Sequence, residues 1–575
     1  MSKTPKYDAK VKAILDGLEP GERVCEMSQE KWQMSDRDIE MYREFNVPPL
    51  TVSPEEYHKM AWMMHTGWSW WWNTDAVTGK PILTAIHPHT QYKVVADDIW
   101  YDSDYAELGI EVKPGESFFD QLYELSKVVP MSATKNVEKP VNSITRISLG
   151  DEDSYFVEGT VSKRALYCSD GFNYEDCAEV TWSNNVMKSY DVLHSEKITN
   201  CIMVRESRRC LNCEFIFDCR DCEFCFMSAN QRHKKFLWRN EQLTEAEWQR
   251  RRGEIDLGDF DQYDRFRTEF YQLIGTEAIW PENFNENNTN CTGEYVQNCT
   301  NVERGWYCDS AQNSRWIAWG NLGTENSAMG IDVGSNHGYG NVAAIKSSGC
   351  RFCNFANYCQ DCEYCTECHN CENCFGCIGL RRKKFHILNK PYEEEEYWRL
   401  VDKTKCAMLE AGEYGKPFEA RFMLTCWQHC SGHVFSETSD EELKRLGVEL
   451  YDPASDGAYG DWSDKTMHKI DEIPKKIDDV DDDIVGKAFL DPNIRRPYSI
   501  LKPELEFYRK MRLPVRREHW VKRIEDQWRE MNMMKVETMS CKDCNKKVQV
   551  AWNHAFPNRK IYCRKCYLKY LEQHG

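Results

Sequence analysis

Near its C-terminus the chain reads Cys541-Lys-Asp-Cys544 and then Cys563-Arg-Lys-Cys566. Two C-x-x-C knuckles at this separation can deliver four thiolates to the corners of a tetrahedron. That is the donor set of a structural zinc ribbon, closed to further ligands and so unsuited to catalysis at the metal. The lysines and arginines around the four cysteines favour their ionised form. Zinc is therefore the cofactor the sequence predicts.

A denser run, CQDCEYCTECHNCENCFGC, sets Cys359, Cys362, Cys365, Cys368, Cys371, Cys374 and Cys377 at every third position. Metal binding, disulfides, redox chemistry and simple packing all use such residues. The same phase extends back through Cys350, Cys353, Cys308 and Cys299. An earlier region repeats it with Cys168, Cys177, Cys201, Cys210, Cys213, Cys219, Cys222 and Cys225. Between those cysteines the phase is filled by Val180, Ser183, Val186, Ser189, Val192, Ser195 and Ile198, so that aliphatic and small residues alternate with a period of six. A helix requires 3.6 and an ordinary strand 2. Six suits short stacked strands, and a β-solenoid is the expectation. Because Val, Ser, Ile and Ala take cysteine's place, the position selects a small, buryable side chain, which free cysteine is. Metal binding by the 359 to 377 run stays the weaker alternative.

Fainter signals are Cys426, His429, Cys430 and His433, which on a helix would share one face and supply two ligands, and a tryptophan run, Trp62, Trp68, Trp70, Trp71 and Trp72. Burial is the expectation for the tryptophans, with a protein interface second. There is no Walker loop, dinucleotide glycine fingerprint, HExxH or G-x-S-x-G, and no acid/base pair is marked by spacing. No catalytic residue is predicted.

These residues need elements to hold them. The two cysteine regions are copies at constant offset: Cys210, Cys213, Cys219, Cys222 and Cys225 match Cys359, Cys362, Cys368, Cys371 and Cys374, and each copy ends in a basic turn, a strand and a helix. The first of those helices starts at a capping box, Thr244 to Glu247. A second echo, DIEMYREFNVP (38 to 48) and ELEFYRKMRLP (504 to 514), predicts two short amphipathic helices ended by proline. The fold class expected is a multidomain, mainly β chain: a duplicated cysteine-ladder β-solenoid with helical connectors, flanked by small α+β modules and a C-terminal zinc ribbon. The boundaries are 1–150 for an N-terminal α+β module, 151–249 and 286–400 for the capped solenoid segments, 250–285 for a helical connector, 401–485 for a mixed, acidic connector, and 486–575 for a helix plus the zinc ribbon.

With 575 residues the chain has ample material for hydrophobic cores without disulfide staples. It shows no apolar leader or membrane span, so 28 cysteines read as reduced thiols in a cytoplasmic compartment, or in a particle assembled there. A net charge of −19 argues against a protein that coats nucleic acid over its whole surface. Any polyanion contact is expected in the basic C-terminal part, beyond the acidic stretch 471 to 486.

The segments DIEMYREFNVPP, YKVVADDIWYDSDY, the ladders ending CFGCIGLRRKKFHILNKPYEEEEY, IDDVDDDIVG, ELEFYRKMRLP and IYCRKCYLKY resemble uncharacterised cysteine-rich zinc-ribbon proteins of environmental bacterial and phage genomes. The resemblance covers most of the chain. It implies further Cys-Pro-x-Cys knuckles after the prolines of the two echoed helices. Here Ser53-Pro54-Glu55-Glu56 and RREHWVKR stand in their place, and Cys25 remains. Some relatives bear a CoA-transferase-like label, an activity no residue of this chain supports. The resulting expectation is a non-enzymatic structural and interaction scaffold that self-associates or joins a larger assembly, a phage particle included, with no membrane contact. The alternatives are a zinc-ribbon nucleic-acid-binding regulator and a multi-metal-binding or storage protein.

Overall fold

The structure is a computed structural model that describes residues 2–452, 459–460 and 462–575. The chain forms two compact units, each discontinuous in sequence: Met1–Ala133 with Phe284–Asp452, and Thr134–Asn283 with Pro453–Gly575.

The second unit holds the first cysteine region. Its strands are short and parallel, and each pairs with the strand twelve residues on: Val180 faces Val192, Val192 faces Val204 and Val204 faces Ile216 in one row, while Val186, Ile198 and Cys210 align in the other. Ser169–Thr181 pairs with both Asn184–Met187 and Tyr190–Leu193. Glu223–Ala229 pairs with both Arg208–Leu211 and Glu214–Phe217.

The expected mainly β chain built on a β-solenoid is corrected on both counts. Those two longer strands join the rows at each end, so the circuit closes as an eight-stranded parallel β-barrel. Thirteen α-helices and many small sheets among the described residues make the whole mixed α/β. The period of six predicts which side chains face inward; it carries no information on how the two rows connect.

The period of three has a backbone cause. From Arg164 to Arg239 every third residue sits at φ between about 43° and 63°. Outside glycine this left-handed state costs about 1–2 kcal/mol per residue, least for Asn and Asp. Register bonds offset it: the N–H groups of Lys188, Asn200 and Asn212 reach the carbonyls of Glu175, Met187 and Thr199 at 2.9–3.1 Å. Turning every third residue brings each third side chain inward, and Val180, Val192, Ile198, Cys201, Cys213 and Cys225 are buried in one cluster.

In the first unit the second cysteine region forms a five-stranded parallel sheet from Gly293–Gln297 to Val342–Ile345. Single bridges twelve residues apart continue it through the cysteine run. Its register shifts between Ala318 and Asn321 and between Ile331 and Asp332, at the start of and within the Gly- and Asn-rich segment 321–343. The echoed helices are Asp36–Phe45 and Lys502–Met511, each stopped by a left-handed residue, Asn46 and Arg512, two positions before the proline. At the helix Glu245–Gly253 the Thr244 side chain accepts the Glu247 N–H, half of the expected capping box.

Candidate metal centre

The C-terminal knuckles are placed by a hairpin and a helix. Asn532–Ser540 and Lys547–Asn553 pair antiparallel, Ser540 opposite Lys547, and Cys541 and Cys544 occupy the turn between them. The turn is tight: Cys541 N–H meets the Lys546 carbonyl at 2.9 Å, Asn545 N–H meets the Cys541 carbonyl at 2.9 Å, and Asn545 takes φ 61°. Lys542 N–H bonds the Ile561 carbonyl at 2.9 Å, which brings in the chain just before Cys563, the N-cap of Arg564–His574. The strand Lys560–Tyr562 is itself anchored by parallel pairing with Ile279–Pro281.

The four sulfurs consequently lie within 4.8 Å of one another, with Cys544 and Cys563 3.8 Å apart. Cys541, Cys563 and Cys566 are buried and Cys544 is exposed. Burial would push the Cys541 thiol up, but backbone N–H groups of Cys563, Cys544 and Asp543 outweigh it and bring it down to about 7. Cys566 is pushed up, first by Asp543 and by its burial, then by the other sulfurs. Sulfurs crowded this closely share protons unequally, a situation a cation relieves. The cluster could hold a metal ion. Among the described residues it is the group of His, Cys, Asp or Glu ligand atoms that converges in this way.

The seven cysteines from Cys359 to Cys377 are fully or almost fully buried. Their thiols point at backbone carbonyls: Cys359 Sγ donates toward Asn357 O at 3.5 Å and Cys368 O at 3.2 Å, and Cys368 Sγ toward Thr366 O and Cys377 O at 3.6 and 3.4 Å. Ladder serines behave alike, Ser195 Oγ donating to Leu193 O at 2.8 Å and Ser207 Oγ to Arg205 O at 2.8 Å. None of the 28 cysteines is disulfide-bonded.

The weaker cysteine–histidine set does not lie on a single helix. Trp427–His429 is one 3-10 turn and Ser431–Phe435 a short helix, with Cys430 as the N-cap between them. Cys426, His429 and Cys430 are buried and His433 half-buried, and His429 Nδ1 pairs with Ser69 Oγ at 2.7 Å. Of the tryptophan run, Trp62, Trp68, Trp70 and Trp71 are buried, and Trp72 is 54% exposed.

Two features lay beyond the reach of sequence reasoning. Asp332 is fully buried on the strand Ile331–Val333, neither carboxylate oxygen making a well-formed hydrogen bond, and burial pushes its carboxyl up to about 7. Arg205 is buried between Asp191 and Glu530, at 2.7 and 2.6 Å. Nothing in the spacing of these residues marks them. Comparison with known protein families, with curated proteins and with solved structures finds no match. No helix among the described residues is long and apolar enough to cross a membrane.

Proposed function

We propose that the chain is a non-enzymatic structural and interaction protein that self-associates or joins a larger assembly, stabilised by one Zn²⁺ held by Cys541, Cys544, Cys563 and Cys566. The observation that carries this reading is the use made of sulfur. Ladder thiols are buried and directed at backbone carbonyls, the task serine performs beside them, while among the described residues Cys541, Cys544, Cys563 and Cys566 bring four sulfurs together on a point, so that protein fills every tetrahedral position. Sulfur so deployed builds a framework. The free thiols fit a reducing, cytoplasmic compartment. Elemental analysis should return one zinc per chain, and static light scattering an assembly larger than the monomer. A strictly monomeric chain at high concentration, with no partner co-purifying, would sink the scaffold reading; many metal equivalents would favour storage.

A second reading, nucleic-acid binding, draws on the ribbon surface. Arginines upstream are neutralised internally, Arg509 by Asp482, Arg512 by Asp478 and Arg516 by Glu518. Lys542, Lys546, Lys547, Lys565 and Lys569 on the ribbon are exposed. This reading requires salt-sensitive binding of the full chain to DNA or RNA, weakened by charge-neutral substitution of those lysines.

A further inference from the structure

The Cys541 turn is one of three turns built alike. Its hairpin has counterparts in Gly21–Val24 with Lys31–Met34, and in Ala488–Asp491 with Arg496–Ser499. In the first counterpart Cys25 stands where Cys541 does. Cys25 N–H bonds the Glu30 carbonyl at 2.9 Å, Gln29 N–H bonds the Cys25 carbonyl at 3.0 Å, and Glu26 N–H bonds the Thr51 carbonyl at 3.0 Å, matching the bonds of Cys541, Asn545 and Lys542 one for one. The left-handed residue falls at the same place in all three: Gln29 at 62°, Arg495 at 52° and Asn545 at 61°. Each turn then meets the N-cap of a helix, Ser53 of Pro54–Met64, His519 of Trp520–Glu530 and Cys563 of Arg564–His574.

The acceptor at the centre also draws donors from the same places, three of them for Cys541 and Cys25 and two for Asp491. Cys541 Sγ takes backbone N–H groups of Asp543, Cys544 and Cys563. Cys25 Sγ takes those of Met27, Ser28 and Ser53, the last at 3.3 Å, and the Ser28 side chain as well. Asp491 accepts Asn493 N–H on Oδ1 and His519 N–H on Oδ2, both at 2.8 Å. What differs is the remaining ligand set. Ser28, Ser53 and Glu56 occupy the places of Cys544, Cys563 and Cys566 in the first counterpart; Ile494, His519 and Lys522 occupy them in the second. Ser53 Oγ is taken by the Glu56 N–H at 3.2 Å, and Glu56 is paired with Lys59 at 2.8 Å. A soft tetrahedral ion finds one sulfur in the first site and none in the second.

We infer that the three turns are one knuckle design in which a single copy takes metal, while in the others an N–H···S bond at Cys25 and paired N–H···O bonds at Asp491 hold turn to helix in the ion's place. The outer zinc knuckles implied by the family resemblance therefore do not fit this chain. The inference rests on the ribbon reading for its template only, since the match between the turns is one of backbone geometry.

The test is metal stoichiometry of the full chain, purified under reducing conditions with added Zn²⁺. The natural chain should carry one equivalent, and Cys25→Ala should carry one as well. The variant Ser28→Cys/Ser53→Cys/Glu56→Cys should rise to two, the second equivalent surviving Cys541→Ala. A second equivalent in the natural chain that Cys25→Ala removes would overturn the inference, and so would a folded triple variant that stays at one. Should the triple variant misfold, the Cys25→Ala count decides alone. Zero equivalents in the natural chain and one in the triple variant would sink the zinc-ribbon reading and leave the common knuckle design standing.

Discussion

The backbone N–H of Cys213 points at the sulfur of Cys201, 3.3 Å away, one strand pairing along the same row of inward side chains. Ser195 N–H meets Ser183 Oγ at 3.0 Å in the same relation, and Cys377 N–H meets Cys365 Sγ at 3.4 Å. A ladder cysteine or serine thus both donates to a carbonyl two residues back and accepts an N–H twelve residues on. Cysteine and serine interchange because each does both, in a volume that leaves the packing intact.

This relation separates substitutions that size alone would rank together. Cys201→Ser retains donor and acceptor and should unfold at nearly the natural denaturant concentration. Cys201→Val fills the space but strands the Cys213 N–H, a loss of about 1–3 kcal/mol. Equilibrium denaturation of both variants checks the order.

Metal removal should act locally. Stripping the ion with a chelator, or Cys563→Ala, should loosen the Cys541–Asn545 turn and the start of the Arg564–His574 helix, which the four ligand bonds would tie together. Hydrogen exchange should show protection lost around the knuckles, 541–546 and 563–566, and kept in the barrel strands around Val192 and Val204, which are buried without metal.

How much of this was legible beforehand differs by feature. The four ribbon cysteines announce themselves, because a closed metal site is encoded in local spacing. The inward phase of the ladders was equally plain, since one side chain in three must fit the same space. Closure of the barrel was hidden, because it depends on Ser169–Thr181 and Glu223–Ala229 being long enough to pair on both rows. The left-handed backbone was hidden too, since Met203, Phe215 and Trp182 occupy it as well as asparagines. Cys25 looked solitary, and its relation to Cys541 lies in the donors around it.

Asp332 makes stability depend on pH. Its folded pKa of about 7 lies above that of a solvated aspartate, chiefly through burial, with the Asn341 amide offsetting part. The folded chain therefore holds this proton more tightly than the unfolded chain. Stability is fully present below pH ~4 and is lost as pH rises toward and through 7, by at most about 4 kcal/mol. Asp332→Asn should erase this contribution and raise the melting temperature at pH 8 while changing little at pH 4. Thermal melts at the two values decide it. A Cβ at Gly338 would sit 2.8 Å from Asn341 Nδ2 and 2.9 Å from Asp332 Oδ2, so a side chain there would press on both polar ends.

Arg205 supports the opposite pH response. Its guanidinium bonds Glu530 through Nε and Asp191 through Nη2, while Tyr271 adds a bond to Glu530 at 2.8 Å and Gln527 one to Asp191 at 2.7 Å. Burial raises both carboxyls; at Asp191 the cations Arg205 and Arg516 outweigh it and hold the group below its ordinary range, whereas Glu530 remains above. Arg205→Met keeps the volume of the stem but leaves two carboxylates buried against each other, which should cost about 3–5 kcal/mol at neutral pH. The loss should shrink as pH falls, since either carboxyl can then take a proton and end the repulsion. Arg205→Met/Glu530→Gln should recover part of the stability at pH 7. A loss that is the same at pH 5 and pH 8 would show that packing of the arginine stem, and not its charge, is what the barrel wall needs.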